Sequence, residues 1–304
     1  MVTIENEKGF KSGFAALIGR PSSGKSTLVN AVCGFKVSIV ASQPQTTRYT
    51  VRGIYTEDNL QLIFIDTPGF HHFTSYLNKG LSDLAAATMN DGDIVLYVVD
   101  LSRDFGEEEE AIVNLVLKHK DRLIVVFNKS DEVSDYKNSS TNFKEIRERL
   151  SDIPYVVISA AKEKGLREMI DLISSKFKEG PLYYPEEFVT DQSIPFRIEE
   201  VVRESMFDFT KEEIPHSVYV KVDDLEVTDK KIIASATIFT DRNSQKGIIV
   251  GKAGANIKGI GSSARVKLED IFERNVNLFL NVKVHENWRK DEKFIKKLFK
   301  LDNR

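Results

Sequence analysis

Eight residues constrain this chain more than any others: Gly19-Arg20-Pro21-Ser22-Ser23-Gly24-Lys25-Ser26. They fit the pattern GxxxxGK followed by serine. They lie between an apolar, strand-like run, Phe14–Ile18, and a helix-like segment, Lys25–Cys33. A strand that turns through two glycines into a helix makes a cradle for phosphate. Backbone N–H groups can approach the anion closely, and the helix N-terminus adds its dipole. In such a loop Lys25 places a point charge on the β- and γ-phosphates, and the Ser26 hydroxyl ligates Mg²⁺. Gly19 through Thr27 are therefore the expected contacts for a nucleotide.

The rest of the first 180 residues suits that placement. Apolar runs recur at Leu62–Ile65, Ile94–Val99, Leu123–Phe127 and Val156–Ile158, and helix-like segments fall at Leu81–Met89, Glu107–Leu117, Phe143–Leu150 and Leu166–Phe177. Nearly continuous apolar strands alternating with helices predict a mostly parallel sheet covered on both faces, a doubly wound α/β fold. The more polar stretch Tyr49–Glu57 alternates as an antiparallel edge strand would. At 304 residues the chain has room for two domains. The segment Gly180–Pro195, with Pro181 and Pro185 inside it, interrupts the pattern. The expected division is a nucleotide-binding domain over residues 1–180, a linker over 181–195 and a smaller α+β domain over 196–304. That second part reads as a helix (Phe196–Phe209), two strands (Ser217–Val227 and Lys231–Thr240), a glycine-punctuated helical stretch (Lys246–Phe272), a strand (Asn277–Val284) and a tail helix (Asp291–Leu301).

A phosphate cradle does not select a base, but Asn128-Lys129-Ser130-Asp131 does, directly after Leu123–Phe127. The Asp131 carboxylate can accept from the paired N1–H and exocyclic amine of guanine. Adenine offers no such pair, and a site built this way rejects it by roughly 10⁴-fold. Asp66-Thr67-Pro68-Gly69 ends the run Leu62–Ile65. Asp66 is placed to hold Mg²⁺ through water, and the Gly69 N–H to meet the γ-phosphate beside Phe70. Gln45-Thr46-Thr47-Arg48 lies between these motifs, with Thr47 the hydroxyl expected to reach Mg²⁺ when the γ-phosphate is present. Ser159-Ala160 is positioned to offer a backbone N–H to the guanine oxygen. Lys25, Thr47 and Gly69 are the expected catalytic set, and phosphate-dependent ordering of the Gln45–Arg48 and Gly69–Phe73 regions the expected switch.

In order and spacing these five motifs resemble those of the translation-factor class of GTPases, and the combination of TTR, DTPG and NKSD is most similar to the Era family. That resemblance implies a GTPase domain joined to an RNA-binding KH domain, with GTP or GDP and Mg²⁺ as ligands. It further implies that 16S rRNA, near its 3′ end, and the small (30S) ribosomal subunit are the partners. Two positions bear on rate. Phe70 stands where Ras-like enzymes carry the glutamine that orients water, so intrinsic hydrolysis is expected to be slow, on the order of 10⁻³ s⁻¹. Ser22 replaces an asparagine common among relatives, which weakens the case for potassium activation.

The C-terminal end fits that picture on its own chemistry. Residues 242–304 hold 15 Lys and Arg against 7 Asp and Glu, although the whole chain carries a net charge of -3. A basic end on an acidic protein points to a polyanion partner. Within it, Gly251-Lys252-Ala253-Gly254 forms a GxxG turn between helical segments, the device with which KH domains clamp about four nucleotides. The helix–strand–strand–helix–helix–strand order and the string Ile260–Arg265 resemble a type II KH domain. Expected RNA contacts are Lys246, Ile249, Gly251, Lys252, Ala253, Gly254, Ile257, Lys258 and Arg265, with phosphate neutralisation making binding salt-dependent. Trp288 reads mainly as core, with base stacking the alternative.

Other features are given bland readings. His71 and His72 lack the partners of a metal site, Glu107–Glu110 suits a helix N-terminus, and Cys33, the only cysteine, is assigned to the core and excludes an internal disulfide. No apolar run is long enough to span a bilayer and the N-terminus does not resemble a signal peptide, so a cytoplasmic monomer is expected. The amphipathic tail Phe294–Phe299 offers at most weak peripheral membrane contact. Two rival functions remain open at this point: a membrane or cell-cycle signalling GTPase whose second domain binds a protein, and an ATP-dependent enzyme on the same loop.

Overall fold

In the computed structural model of this chain the described residues are 9–40, 47–69, 85, 87–210, 214–215 and 217–298. They form two compact units, Met1–Asp191 and Gln192–Arg304.

The first unit is built on a six-stranded sheet in the order β2-β3-β1-β4-β5-β6, with β1 Lys11–Ile18, β2 Val51–Glu57, β3 Leu60–Asp66, β4 Ile94–Asp100, β5 Leu123–Asn128 and β6 Tyr155–Val157. Five strands are mutually parallel and β2 pairs antiparallel with β3. Every residue of β3, β4 and β5 is buried, which is why those strands read as unbroken apolar runs rather than alternating ones. Tyr97, Phe127, Ile112, Val116 and Ile146 pack into one continuous core on a face of the sheet. The helix expected over Leu81–Met89 lies partly outside the described residues.

The stretch 181–195, expected to be a linker, is mostly part of this unit. The buried Gln61 side chain accepts from the N–H groups of Tyr183 and Tyr184 (2.8 and 3.0 Å) and donates to the Tyr184 carbonyl at 2.8 Å. The Ile54 N–H of β2 donates to the Val189 carbonyl at 2.9 Å, Thr190 Oγ1 donates to the Arg52 carbonyl at 2.8 Å, and Arg52 pairs with Asp191 at 2.8 Å. Prolines removed helix and central strand from this segment, but its free carbonyls suit the unpaired N–H groups of an edge strand.

The second unit starts its first helix at Ile194, with proline in the first turn. A three-stranded sheet follows in the order β7-β8-β9, with β7 Val218–Val227, β8 Lys231–Thr240 and β9 Asn275–Val284. β7 and β8 are antiparallel, β8 and β9 parallel. The helices Asn243–Val250 and Ala255–Phe272 complete it. A side chain at Gly259 would run into the Phe209 ring, so glycine there lets the first and last of these helices approach. Trp288 is fully buried and donates its indole N–H to the Ser217 carbonyl at 3.1 Å. It therefore serves the core, and the stacking alternative is set aside. Phe294 of the tail helix Glu292–Leu298 packs near Tyr219, His285 and Trp288.

Candidate functional site

The carboxyl ends of β1, β3, β4 and β5 converge on the loop Gly19–Ser26. Gly24 adopts φ 94° and caps the helix Lys25–Cys33, and Ser22 is also left-handed at φ 62°. A Cβ on Gly19 would strike the Val98 carbonyl, and one on Gly24 the Asn128 amide. Both glycines are thus required by close approach. Lys25 is buried, and its Nζ donates to the carbonyls of Gly19 and Arg20 at 3.0 Å each. Burial pulls its pKa down to about 8 against the opposing pull of Asp66 and Glu109. The Arg20 side chain turns away, with Nε 2.8 Å from Glu108 and Nη1 3.5 Å from Glu109. Glu109 also accepts from the Tyr97 hydroxyl at 2.6 Å. The acidic run Glu107–Glu110 therefore does more than favour a helix dipole: it anchors Arg20. Pro21 and Ser23 are buried in the loop, and Thr27 is half-buried on the helix.

Three oxygen donors meet beside this loop. Ser26 Oγ donates to Asp66 Oδ2 at 2.7 Å and lies 2.8 Å from Thr47 Oγ1. Asp66 is fully buried, and its Oδ1 has no hydrogen-bond partner among the described residues. Burial raises the Asp66 pKa, with Lys25 and the Ser26 bond pulling the other way. A hard-oxygen set with an unsatisfied buried carboxylate oxygen fits Mg²⁺. The half-buried Asn30 fixes the turn after the first helix: its Oδ1 accepts from Val37 and Ser38 N–H (2.9 and 2.8 Å), and its Nδ2 donates to the Ser38 carbonyl at 2.8 Å. No pattern in the sequence marked Asn30. Arg48 is buried, while Gln45, Thr46 and Phe70, like His71 and His72, lie outside the described residues. Thr67 is a strut, donating from Oγ1 to the Leu17 carbonyl at 2.6 Å. Pro68 is buried beside it, and Gly69 sits so close to the phosphate loop that a Cβ would come within 2.7 Å of Pro21 Cα.

The guanine end is tied to the same loop. Asn128 Nδ2 donates to the Ser23 carbonyl at 2.9 Å, and its Oδ1 accepts from the Ala160 N–H at 3.0 Å. Of the two N–H groups of Ser159-Ala160, from which one is expected to face the guanine oxygen, Ala160's is spent here on Asn128 and Ser159's on the Lys164 carbonyl at 3.0 Å. Ser130 donates its N–H to the Ile158 carbonyl at 3.1 Å, and Lys129 is left-handed at φ 65°. Asp131 is exposed and accepts from the buried Ser159 hydroxyl, the bond that chiefly holds its pKa below the ordinary value. Ser159 therefore orients the carboxylate expected to read the base.

In the second unit the GxxG turn is built as expected. Gly251 (φ 72°) and Gly254 (φ 78°) are left-handed, as is Ala253 at φ 50°. A Cβ on Gly251 would come within 2.7 Å of Asn256 Cγ. Asn256 in turn donates to the Ile248 carbonyl at 2.8 Å, holding the turn shut. Lys246, Lys252, Ala253 and Lys258 are exposed and Ile257 half-buried. Arg265 is exposed but shared with Glu269 at 3.4 Å. Ile249 corrects the sequence reading, for it is fully buried in the core and cannot touch RNA. Its neighbour Ile248 is the exposed one of the two, at 47%. Among the described residues no group of three or more His, Cys, Asp and Glu could hold a metal ion, and no described helix is long and apolar enough to cross a membrane. Cys33 is partly buried, which pushes its thiol up to about 12.

Comparison with known proteins agrees with both halves. A family model described as 50S ribosome-binding GTPase matches residues 14–129, and a KH-domain model matches residues 213–289. GTPase Era of Borrelia garinii subsp. bavariensis is 44% identical over 288 residues, covering 95% of this chain and 99% of that protein. GTPase Era of Treponema denticola is 41% identical over 294 residues, covering 94% and 99%. Two solved structures match with a TM-score of 0.89 at 34% identity over 95% of this chain. One is a variant of Aquifex aeolicus Era bound to GDP and AlF4⁻, covered over 99%. The other is Era with MgGDPNP and nucleotides 1506–1542 of 16S ribosomal RNA, covered over 98%.

Proposed function

The chain belongs to the Era family of GTPases, and from that membership and its own geometry we propose that it is a guanine-nucleotide switch that binds 16S rRNA through its KH domain during assembly of the small ribosomal subunit. It hydrolyses GTP to GDP and phosphate. The observation that carries the reading is the presence, in one chain, of a base-selecting Asp131 held by Ser159 and a glycine-locked, lysine-lined KH turn.

Hydrolysis follows from the loop chemistry. Backbone N–H groups of Ser22 and of Gly24 to Ser26, with the Lys25 ammonium, would neutralise the phosphates. Gly69, pressed against Pro21, sets its peptide beside the γ-phosphate position, and water attacks in line. Ser26, Thr47 and, through water, Asp66 would hold Mg²⁺, which would supply charge neutralisation at the phosphates. Phe70 stands in the sequence where Ras-like enzymes carry the water-orienting glutamine, so hydrolysis without a partner is expected to be slow.

Small-subunit RNA is the favoured partner. The GTPase family description names the 50S particle, but it covers residues 14–129 only, whereas the relative solved with 16S RNA matches along 95% of the chain. A role in assembling ribosomal subunits would put the protein in the cytoplasm, and a monomer is the proposed state.

Crosslinking the GTP-bound full chain in lysate and sequencing the attached RNA tests this. Reads concentrated near the 3′ end of 16S rRNA are expected, and Lys252→Ala should lower the salt slope of binding by about one. Recovery of no RNA, or of large-subunit RNA alone, overturns the assignment.

A further inference from the structure

Asp100 closes the otherwise apolar strand β4, and none of the nucleotide motifs gives it a task. Its carboxylate is 2% exposed. The β4–β5 register sets Asp100 beside Asn128, and the Leu101 N–H donates to the Asn128 carbonyl at 3.0 Å. Asp100 Oδ1 accepts from the N–H and hydroxyl of Ser102 at 2.9 and 2.6 Å, which fixes the plane of the carboxylate. Asp100 Oδ2 lies 2.7 Å from Lys129 Nζ and 3.4 Å from Arg103 Nε. Arg103 continues the chain, with Nη1 donating to the Pro21 carbonyl at 3.1 Å.

One carboxylate thus joins the loop that reads the base to the loop that holds the phosphates. Its leverage comes from the planarity of the peptide. In a trans peptide the N–H points opposite to the carbonyl. Arg103 holds the Pro21 carbonyl, and Asn128 holds the Ser23 carbonyl. The N–H groups of Ser22 and Gly24 therefore face away from those donors. N–H groups turned to one side in this way suit an anion, while the Ser23 N–H between them donates to the Arg20 carbonyl at 3.3 Å. Lys129, left-handed at φ 65°, also needs a restraint, since that conformation costs a non-glycine residue about 1–2 kcal/mol.

We propose that Asp100 is a positioning residue for nucleotide binding, acting through Arg103 on the phosphate loop and through Lys129 on the base-reading loop. It touches no reacting atom. The proposal rests on the guanine-nucleotide reading above and adds the residue that keeps the two halves of that site in register.

Titration of full-length Asp100→Asn, Arg103→Met and the double variant with fluorescent GDP and GTP analogues tests it, alongside thermal melting of each nucleotide-free protein. Each single variant should bind both nucleotides about tenfold or more weakly, Asp100→Asn through loss of the buried ion pairs and Arg103→Met through loss of the Arg103–Pro21 hydrogen bond. The double variant should be no weaker than Asp100→Asn alone, because the two residues act in series. Preference for guanine over adenine should persist throughout, since Asp131 is intact. Unaltered affinity in either single variant, or losses that multiply in the double variant, would overturn the proposal. Should Asp100→Asn fail to fold, Arg103→Met still decides, because that side chain is 37% exposed and its removal spares the core. A wild-type protein that binds ATP as tightly as GTP would instead defeat the guanine reading itself.

Discussion

Thr47 Oγ1 lies 2.8 Å from Ser26 Oγ, which in turn donates to Asp66 Oδ2 at 2.7 Å. Because the serine hydroxyl has one proton and gives it to Asp66, Thr47 is the donor to Ser26. A residue of the loop that follows the first helix is thereby bound to the phosphate loop through a single hydroxyl. Thr47→Ala should weaken Mg²⁺-dependent GTP binding about tenfold, roughly 1.4 kcal/mol, and leave GDP binding within about twofold. Titration of Mg²⁺ against the two nucleotides checks this. Equal losses for both would show that Thr47 does not sense the γ-phosphate.

Base selection should depend on two side chains of different rank. Asp131→Asn is expected to reduce GTP affinity by roughly 10²–10⁴-fold and to favour xanthine nucleotides, whose base presents an acceptor where guanine presents its amine. Ser159→Ala keeps the carboxylate and removes the hydroxyl that orients it. A smaller loss, about five- to thirtyfold, is expected with the guanine preference retained. Competition binding with GTP, XTP and ITP separates the two outcomes.

Nucleotide binding should take up protons in alkaline solution. Burial lowers the Lys25 pKa from 10.5 to about 8 in the nucleotide-free protein. Phosphates beside the ammonium raise it again, so above about pH 8 binding must recharge the lysine, and affinity falls as pH climbs through that value. The sign for folding is the reverse. Between about 8 and 10.5 the unfolded chain holds more protons than the folded one, so this group's contribution to nucleotide-free stability rises with pH. Calorimetry at pH 8.5 in two buffers of different ionisation enthalpy reads the proton uptake directly. Proton release on binding would contradict the buried-lysine geometry.

The two glycines of the KH turn should differ in cost. Gly251→Ala meets Asn256 at 2.7 Å on top of φ 72°, and is expected to destabilise the second unit by about 2–3 kcal/mol. Gly254→Ala meets only Ile257 at 4.0 Å, so its cost is the backbone term alone, about 1–2 kcal/mol. Denaturant unfolding of the two variants measures the gap, and equal losses would mean that the Asn256 contact relaxes.

Much of the nucleotide site is legible because its residues are local strings at the ends of buried strands. Gly19–Ser26, Asp66–Gly69 and Asn128–Asp131 need no partner to be recognised. What the sequence hid is pairing across the fold. Gln61 looks like one polar residue in an apolar strand, and only the three-dimensional structure shows it taking up the backbone of Tyr183 and Tyr184. Ile248 and Ile249 are adjacent and chemically alike. Their opposite exposures depend on the helix's rotation against the sheet, and two neighbours cannot reveal that. In the sequence Ser159 reads as a backbone donor, whereas in the fold its side chain orients Asp131.

The strap of residues 181–191 along β2 has a practical consequence. A fragment of the GTPase unit truncated at Gly180 would keep every nucleotide motif yet bare the Ile54 N–H, strip Gln61 of its backbone partners and unseat Arg52 from Asp191. Such a fragment would be prone to self-association through strand addition at that margin, and one extended to Asp191 would not.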